Sequence, residues 1–339
     1  MKDFLQSIAD DAKDIFEHDI ETTKAYAVPG RNDPGLTFGR DQVKKGKLIE
    51  TCILFIDIRN STLMSRNLKN DKARLGKVYA AFIDAMASIA DRYGYVRNII
   101  GDRVMVVFEP GTCFLDAVNC AAMMYTVATR ILKKYSGLEN FKVGIGIDYG
   151  EMLILKTGIQ KKHEEQSEYK NLVWVGDAAN VASKLTDFSN KEYNSPQYKV
   201  TYEYMHSEKY LKGYKPSSSS TFHDLTFGTS KPEPEYDWKF EKRTSMVTLS
   251  AEEFHTKIKT HPEWKYEEKK VTGIEKEERS GTTSPILMSG KVFSEFKKAD
   301  PKSPHLKHLS QRQFPNAPST GTGICGGYIL LDEIAQLKL

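Results

Sequence analysis

Asp57 closes the apolar run LIETCILFIDI, and Asp102 follows Gly101 between the apolar runs YVRNII and RVMVVFE. An acid after a buried strand is ordinarily a cap for the next helix, and Gly-Asp is ordinarily a turn pair. Together they can do more. If the first strand lies beside the hairpin that Gly101-Asp102 closes, both carboxylates meet at one end of a sheet. They repel there unless a cation sits between them, and magnesium takes such hard oxygen ligands together with a substrate phosphate. Ile58-Arg59-Asn60-Ser61-Thr62 then turns into a helix N-terminus, whose N–H groups suit a triphosphate. Farther along, Asn180 and Lys184 are four residues apart on a helical pattern, so they project from one face. Such a pair is ordinarily a solvated helix face. It also suits a ribose and a phosphoryl group that gains charge in a transition state.

The elements that must position these residues follow from periodicity. Residues 1–20 repeat Phe4, Ile8, Ile15, Phe16 and Ile20 at helical spacing, and AVPGRNDPGLTFGRD reads as a loop or linker. From residue 48 the pattern is strand, one helix over 60–94, strand-turn-strand around Gly101, a helix over 114–136, and a strand pair or long bent strand in FKVGIGIDYGEMLIL. NLVWVGDAANVASKLTDFS then reads as strand, Gly turn and helix. This order matches a split βαβ sheet with helices on one face, in the ferredoxin-like manner. The domains expected are 1–45 as N-terminal helix and linker, 46–195 as core, 196–283 as an insertion, and 284–339 as a returning strand and helix with a tail. Within the insertion, residues 213–238 read as an irregular excursion.

The chain has 339 residues, enough for a large core, and a net charge of +4, too mild to point to nucleic acid or a membrane surface. Cys52, Cys113, Cys120 and Cys325 show no CxxC spacing and read as buried thiols of a reducing compartment. The acidic, amphipathic N-terminus is unlike a secretory signal, and no apolar run approaches the roughly 20 residues of a membrane helix. A cytoplasmic protein is expected.

ILFIDIRNST, NIIGDRVMVVFE, VGIGIDYGEML and VGDAANVASKL, in this order and spacing, resemble the four signature segments of class III nucleotidyl cyclases. VPGRNDPGLTF and the long insertion further resemble the bacterial pyrimidine cyclases of Pycsar antiphage systems. The resemblance implies an α+β, ferredoxin-like catalytic domain preceded by a helix and followed by an auxiliary region. It implies two Mg²⁺ or Mn²⁺ ions per site on Asp57, Asp102 and the Ile58 carbonyl, with backbone contacts to phosphate from Asn60, Ser61 and Thr62. Asn180 orients the ribose. Lys184 stands where most such enzymes carry Arg, keeping the charge and losing the fork. A late basic residue on the triphosphate is expected in the final hairpin, where CGGYILLDEI offers none. Metal acids come from one protomer and the Asn/Lys pair and base reader from the other, so a homodimer with two sites is implied and an inactive monomer.

The same resemblance marks Asn98 and Val173 as base readers, where purine cyclases carry Lys or Glu and then Asp. An amide both donates and accepts, so Asn98 suits uracil or cytosine without choosing between them. Arg97 adds donors, and Phe55 narrows the pocket against a purine. The substrate expected is UTP, ahead of CTP, converted to the 3′,5′-cyclic monophosphate and pyrophosphate as a second messenger in antiphage defence, read by a separate effector. The alternatives are an adenylate or guanylate cyclase with unusual base readers, and a catalytically inactive nucleotide-binding scaffold. A palm-type polymerase or diguanylate cyclase fits poorly, because no GGDEF-like hairpin and no strongly basic composition are present.

Overall fold

The computed structural model describes residues 1–39, 43–158, 160–161, 164–165, 170–211, 236–256, 270–312, 314 and 317–331. The chain divides into two units, Met1–Glu192 with Thr282–Leu339, and Tyr193–Gly281.

In chain order the first unit begins with α1 (Lys2–Glu17) and β1 (Ile20–Lys24). The core runs β2 (Lys44–Ile58), α2 (Ser61–Asn67), α3 (Lys72–Tyr93), β3 (Tyr95–Ile100), β4 (Arg103–Val107), α4 (Cys113–Thr126). A π-helical segment, Val127–Leu132, links α4 to α5 (Lys133–Ser136), and β5 (Val143–Thr157) follows. Next come the short β6 (Gln160–Lys161) and β7 (Glu164–Glu165), then β8 (Asn171–Val175) and α6 (Asp177–Phe188). The second unit holds β9 (Glu192–Leu211), β10 (Tyr236–Ser250), α7 (Ala251–Phe254) and β11 (Lys270–Thr282). The chain returns through β12 (Ile286–Ser289), α8 (Gly290–Ala299), β13 (Leu309–Arg312) and β14 (Ile324–Gly327).

The expected helix over 60–94 is two helices, because Asp71 caps a fresh start by accepting from the Arg74 N–H at 3.0 Å. Across the main sheet the strand order is β13-β14-β12-β5-β2-β4-β3, with β1 parallel to the start of β2 and β8 antiparallel to the end of β5. The four strands β5-β2-β4-β3 alternate in direction and are joined through α3 and α4, which is the ferredoxin-like order.

Period-two alternation along β2 builds two cores. Cys52, Leu54, Ile56 and Ile58 face Phe82 and Met86 of α3 and Cys120 and Met124 of α4. Ile49 and Ile53 face the opposite side, with Ala178, Ala179 and Ala182 of α6 and with Ala25, Val28 and Leu36. Helices therefore cover both faces, not one. The stretch expected as a linker is a strap docked on the second face, where Asp33 pairs with Lys47 at 2.7 Å. By contrast, α1 buries none of its residues, though Asp14 near its end pairs with Lys44 at 2.5 Å. All four cysteines are free and buried. Among the described residues no helix is long and apolar enough to cross a membrane.

In the second unit β9 lies between β10 and β11 and pairs antiparallel with β10. Val200 and Leu249 are buried there, and Tyr198 stacks on Phe254 with ring centroids 4.0 Å apart. Charged residues on these long strands disguise their alternation in the sequence. The irregular excursion expected over 213–238 lies outside the described residues up to 235, and Tyr236 begins β10.

The seat of α6 depends on Gly146 of β5, where a Cβ would stand 2.3 Å from the Ala182 carbonyl oxygen and the Thr186 amide nitrogen. Both are helix backbone and cannot rotate away. Gly146→Ala should therefore destabilise the protein by about 1–3 kcal/mol, the usual cost of overpacking, read as a lower midpoint in thermal or urea unfolding. An unchanged midpoint would show that α6 is not seated on this strand.

Candidate active site

Asp57 is the penultimate residue of β2 and lies opposite Gly144 of β5. Asp102 sits in the β3–β4 turn, where Gly101 supplies φ +63°, a left-handed conformation that glycine adopts without strain. Because β4 pairs directly with β2, this turn arrives at the end of β2. The two carboxyls stand close enough to repel, and the Ser61 side chain lies beside Asp102 as well. Burial, then Asp57, push the Asp102 carboxyl above its ordinary pKa, against the opposing pull of its own backbone and Ser61. Asp102 Oδ2 is buried without a hydrogen-bond partner.

Two arginines absent from the sequence expectations complete the cluster. Arg103 donates to Asp57 Oδ2 at 2.9 Å and to Ser183 Oγ at 3.0 Å, and it pairs with Asp187. Arg59 reaches the same Asp57 oxygen at 3.2 Å and donates to the Asp187 carbonyl at 3.3 Å. Burial lowers the Arg59 pKa, opposed by Asp57 and Asp187. For Arg103 burial acts downward too, but its bonds to Asp57 and Asp187 outweigh it and the pKa rises. Both engage Asp57 through one oxygen, Oδ2. The only sequence signal for either was adjacency: Arg103 follows Asp102, and Arg59 lies two residues after Asp57.

Ile58 is buried at the end of β2 opposite Val143. Asn60 has φ +57° and occupies the cap position of α2 without a side-chain cap bond. Ser61 starts α2, and Thr62 is exposed on it. Asn180 and Lys184 are both exposed on α6. Arg103 ties the last turns of that helix to Asp57, and Asn180 lies seven residues before Asp187, about 10 Å along the axis.

The base-reading candidates divide. Asn98 pairs with Met105 of β4, and Met105 pairs with Phe55 of β2, so the three form one row. A β-bulge between Val96 and Asn98 makes Arg97 the extra residue. The Arg97 guanidinium lies over the Tyr95 ring, 4.6 Å from its centroid. Burial lowers the Arg97 pKa, opposed by Tyr95 and Glu109. Val173 is elsewhere: it is exposed on β8, opposite Leu155 of β5. Strands β4, β2 and β5 separate it from Asn98, about 19 Å at the usual strand spacing. One chain does not bring these two together.

The late basic residue has a candidate that the sequence reading missed. The final hairpin pairs β13 with β14, and Arg312 is exposed at the end of β13, opposite Ile324. A cavity of about 920 Å³ lies between residues 148–151 of β5, the start of α6 and residues 319–322, and contains none of the expected site residues.

Since the Asp102 pKa is raised, its ionisation costs stability as pH climbs through that folded value; the stabilising share is complete only below the unfolded pKa. Asp102→Asn should raise the melting temperature of metal-free protein at pH 7. The gain should shrink as pH falls and the wild-type carboxyl takes up its proton. A pH-independent difference in melting scans would contradict this.

The profile described as the adenylate and guanylate cyclase catalytic domain matches residues 43–202. A uridylate cyclase of Gulbenkiania mobilis is 33% identical over 178 residues, 49% of this chain and 67% of that protein. A uridylate cyclase of Xanthomonas perforans is 31% identical over 180 residues, 51% of this chain and 72% of that protein. A cytidylate cyclase of Staphylococcus aureus is 34% identical over 125 residues, 33% of this chain and 29% of that protein. Among solved structures, a bacterial light-regulated adenylyl cyclase is 23% identical, covering 41% of this chain and 70% of that one, with a TM-score of 0.36.

Proposed function

Because the chain belongs to the adenylate and guanylate cyclase catalytic domain family and is a nucleotidyl cyclase, we propose that it cyclises a pyrimidine nucleoside triphosphate, UTP ahead of CTP. The observation that carries the catalytic assignment is the convergence of Asp57 and Asp102, with one Asp102 oxygen buried and unpartnered. That donor set is short of a cation. Among the described residues no cluster of three or more His, Cys, Asp or Glu gathers around a possible metal, so substrate phosphate and water would complete the shell. Asp57, Asp102 and the Ile58 carbonyl would hold two Mg²⁺ or Mn²⁺ ions, which when bound supply Lewis acidity toward the ribose 3′-hydroxyl and countercharge for the triphosphate. Arg59 and Arg103 hold Asp57 through its Oδ2 and keep the carboxylate charge balanced.

In the reaction the ribose 3′-oxygen attacks the α-phosphorus and gives up its proton. The bond from that phosphorus to the bridging oxygen breaks, and pyrophosphate leaves in line. Backbone N–H groups at Asn60, Ser61 and Thr62 face phosphate, Asn180 orients the ribose, and Lys184 offers a point charge to the phosphoryl group. Arg312 serves the leaving pyrophosphate. Asn98, Arg97 and Phe55 read the base. Val173 lies on β8, across β4, β2 and β5 from them in one chain; the working form is a homodimer in which Asp57 and Asp102 of one chain meet Asn180 and Lys184 of the other. Support for a pyrimidine comes from the names of the relatives and from the absence of a purine-type Lys or Glu at Asn98. The cyclic product would act as a second messenger in antiphage defence through a separate effector.

Purified protein with Mn²⁺ should convert UTP, and CTP less well, to the cyclic monophosphate and pyrophosphate, while Asp57→Ala abolishes turnover. Product from ATP or GTP alone would overturn the pyrimidine assignment, and equal background in wild type and variant would favour the inactive scaffold. Shared sites make a second expectation. Asp57→Ala and Asn180→Ala chains, each inactive, should regain about a quarter of wild-type activity when mixed equally and allowed to exchange, because half the dimers then carry one intact site. No recovery despite proven exchange would place both residues in a single-chain site.

A further inference from the structure

The strap and the bulged strand meet at one side chain that the catalytic scheme leaves unused. Glu109 follows β4, on the face that carries Ile53, Met105 and the strap residues Ala25, Val28 and Leu36. Its Oε2 accepts the Val28 N–H at 3.3 Å, and its carboxylate interacts with the Tyr95 hydroxyl and pushes that group's pKa up. Tyr95 in turn lies beneath the Arg97 guanidinium at 4.6 Å. Strap, carboxylate, ring and guanidinium thus form one chain of contacts, ending on a base-reading candidate. Arg97 points this way because of the bulge: regular alternation would set Arg97 and Asn98 on opposite faces, whereas a bulge turns both toward one. Arg97 makes a single side-chain hydrogen bond to its neighbour's carbonyl, Val96 O at 3.4 Å, and its buried Nε has no partner. Its donors are therefore largely unspent, and Glu109 supplies the opposite charge that keeps them on this face.

We propose that Glu109 is a positioning residue for base selection: it locks the strap against Tyr95, and through Tyr95 it aims Arg97 at the carbonyl acceptors of a pyrimidine. The strap adds a steric limit. Val28 and Leu36 are buried in the cluster that holds Met105 and Phe55, two of the three members of the row Phe55–Met105–Asn98. A single ring that accepts hydrogen bonds through its carbonyl oxygens suits such a cleft, and a second fused ring meets the strap. This inference rests on Arg97 and Asn98 being the base readers.

The test compares wild type, Glu109→Gln, Arg97→Ala and the double variant, with kcat and KM measured for UTP, CTP, ATP and GTP. Glu109→Gln should raise KM for the preferred pyrimidine about tenfold, change kcat by less than about twofold, and reduce discrimination against ATP about tenfold. The double variant should be no worse than Arg97→Ala alone, because Glu109 acts through Arg97. Tyr95→Phe, which removes the hydroxyl donor and keeps the ring, should shift selectivity in the same direction, and it answers the question if Glu109→Gln fails to fold. Wild-type selectivity in the Glu109 or Tyr95 variant, or additive losses in the double variant, overturns the inference. If Arg97→Ala itself leaves selectivity unchanged, the base-reader assignment falls, and this inference with it.

Discussion

Two like charges brought together at one sheet end are the constraint on which the rest of this structure turns. The antiparallel register of β2 and β4 leaves no choice about it: Ile56 opposite Val104 puts the end of β2 beside the turn that carries Asp102. The surroundings answer the repulsion in two ways. Asp57 is met by Arg59 and Arg103 on one oxygen. Asp102 has Ser61 and its raised pKa, and one of its oxygens has no partner. A fold optimised only for stability would place an amide or a second cation at that point.

The same arginine links chemistry to architecture. Arg103 holds Asp57, Ser183 and Asp187 together, so the helix that presents Asn180 and Lys184 is tied to β2 by the group that balances the Asp57 charge. Close approach of that helix needs β5 to lack side chains beneath it, which Gly146 provides. Gly144 does the same for Arg59, since a Cβ there would stand 2.9 Å from Arg59 Nε. The glycines of VGIGIDYG therefore serve the second face of the sheet, while Val143, Ile145 and Ile147 fill the first. One strand carries both demands because its side chains alternate.

Much of this was legible in the residues. Apolar runs ended by acids, a Gly-Asp turn between strands and an Asn/Lys pair at helical spacing picked out the candidate residues, since each of these depends on neighbours in the chain. Less visible were the long strands β9, β10 and β11, whose charged residues hide their period, and the break at Asp71, where a local cap overrode a continuous helical pattern.

What the sequence determined by itself was the set of groups and the elements that carry them, because periodicity and turn chemistry are local. Only tertiary structure decided which groups meet. Arg103 and Arg59 engage Asp57 through contacts between residues 46 and 2 positions apart, and Arg103 reaches Asp187 across 84 positions. A single extra residue in β3 turns Arg97 and Asn98 to one face, and the order of strands keeps Val173 away from both within one chain. Register and strand order are set by the packing of whole faces, and no local run of residues encodes that sum.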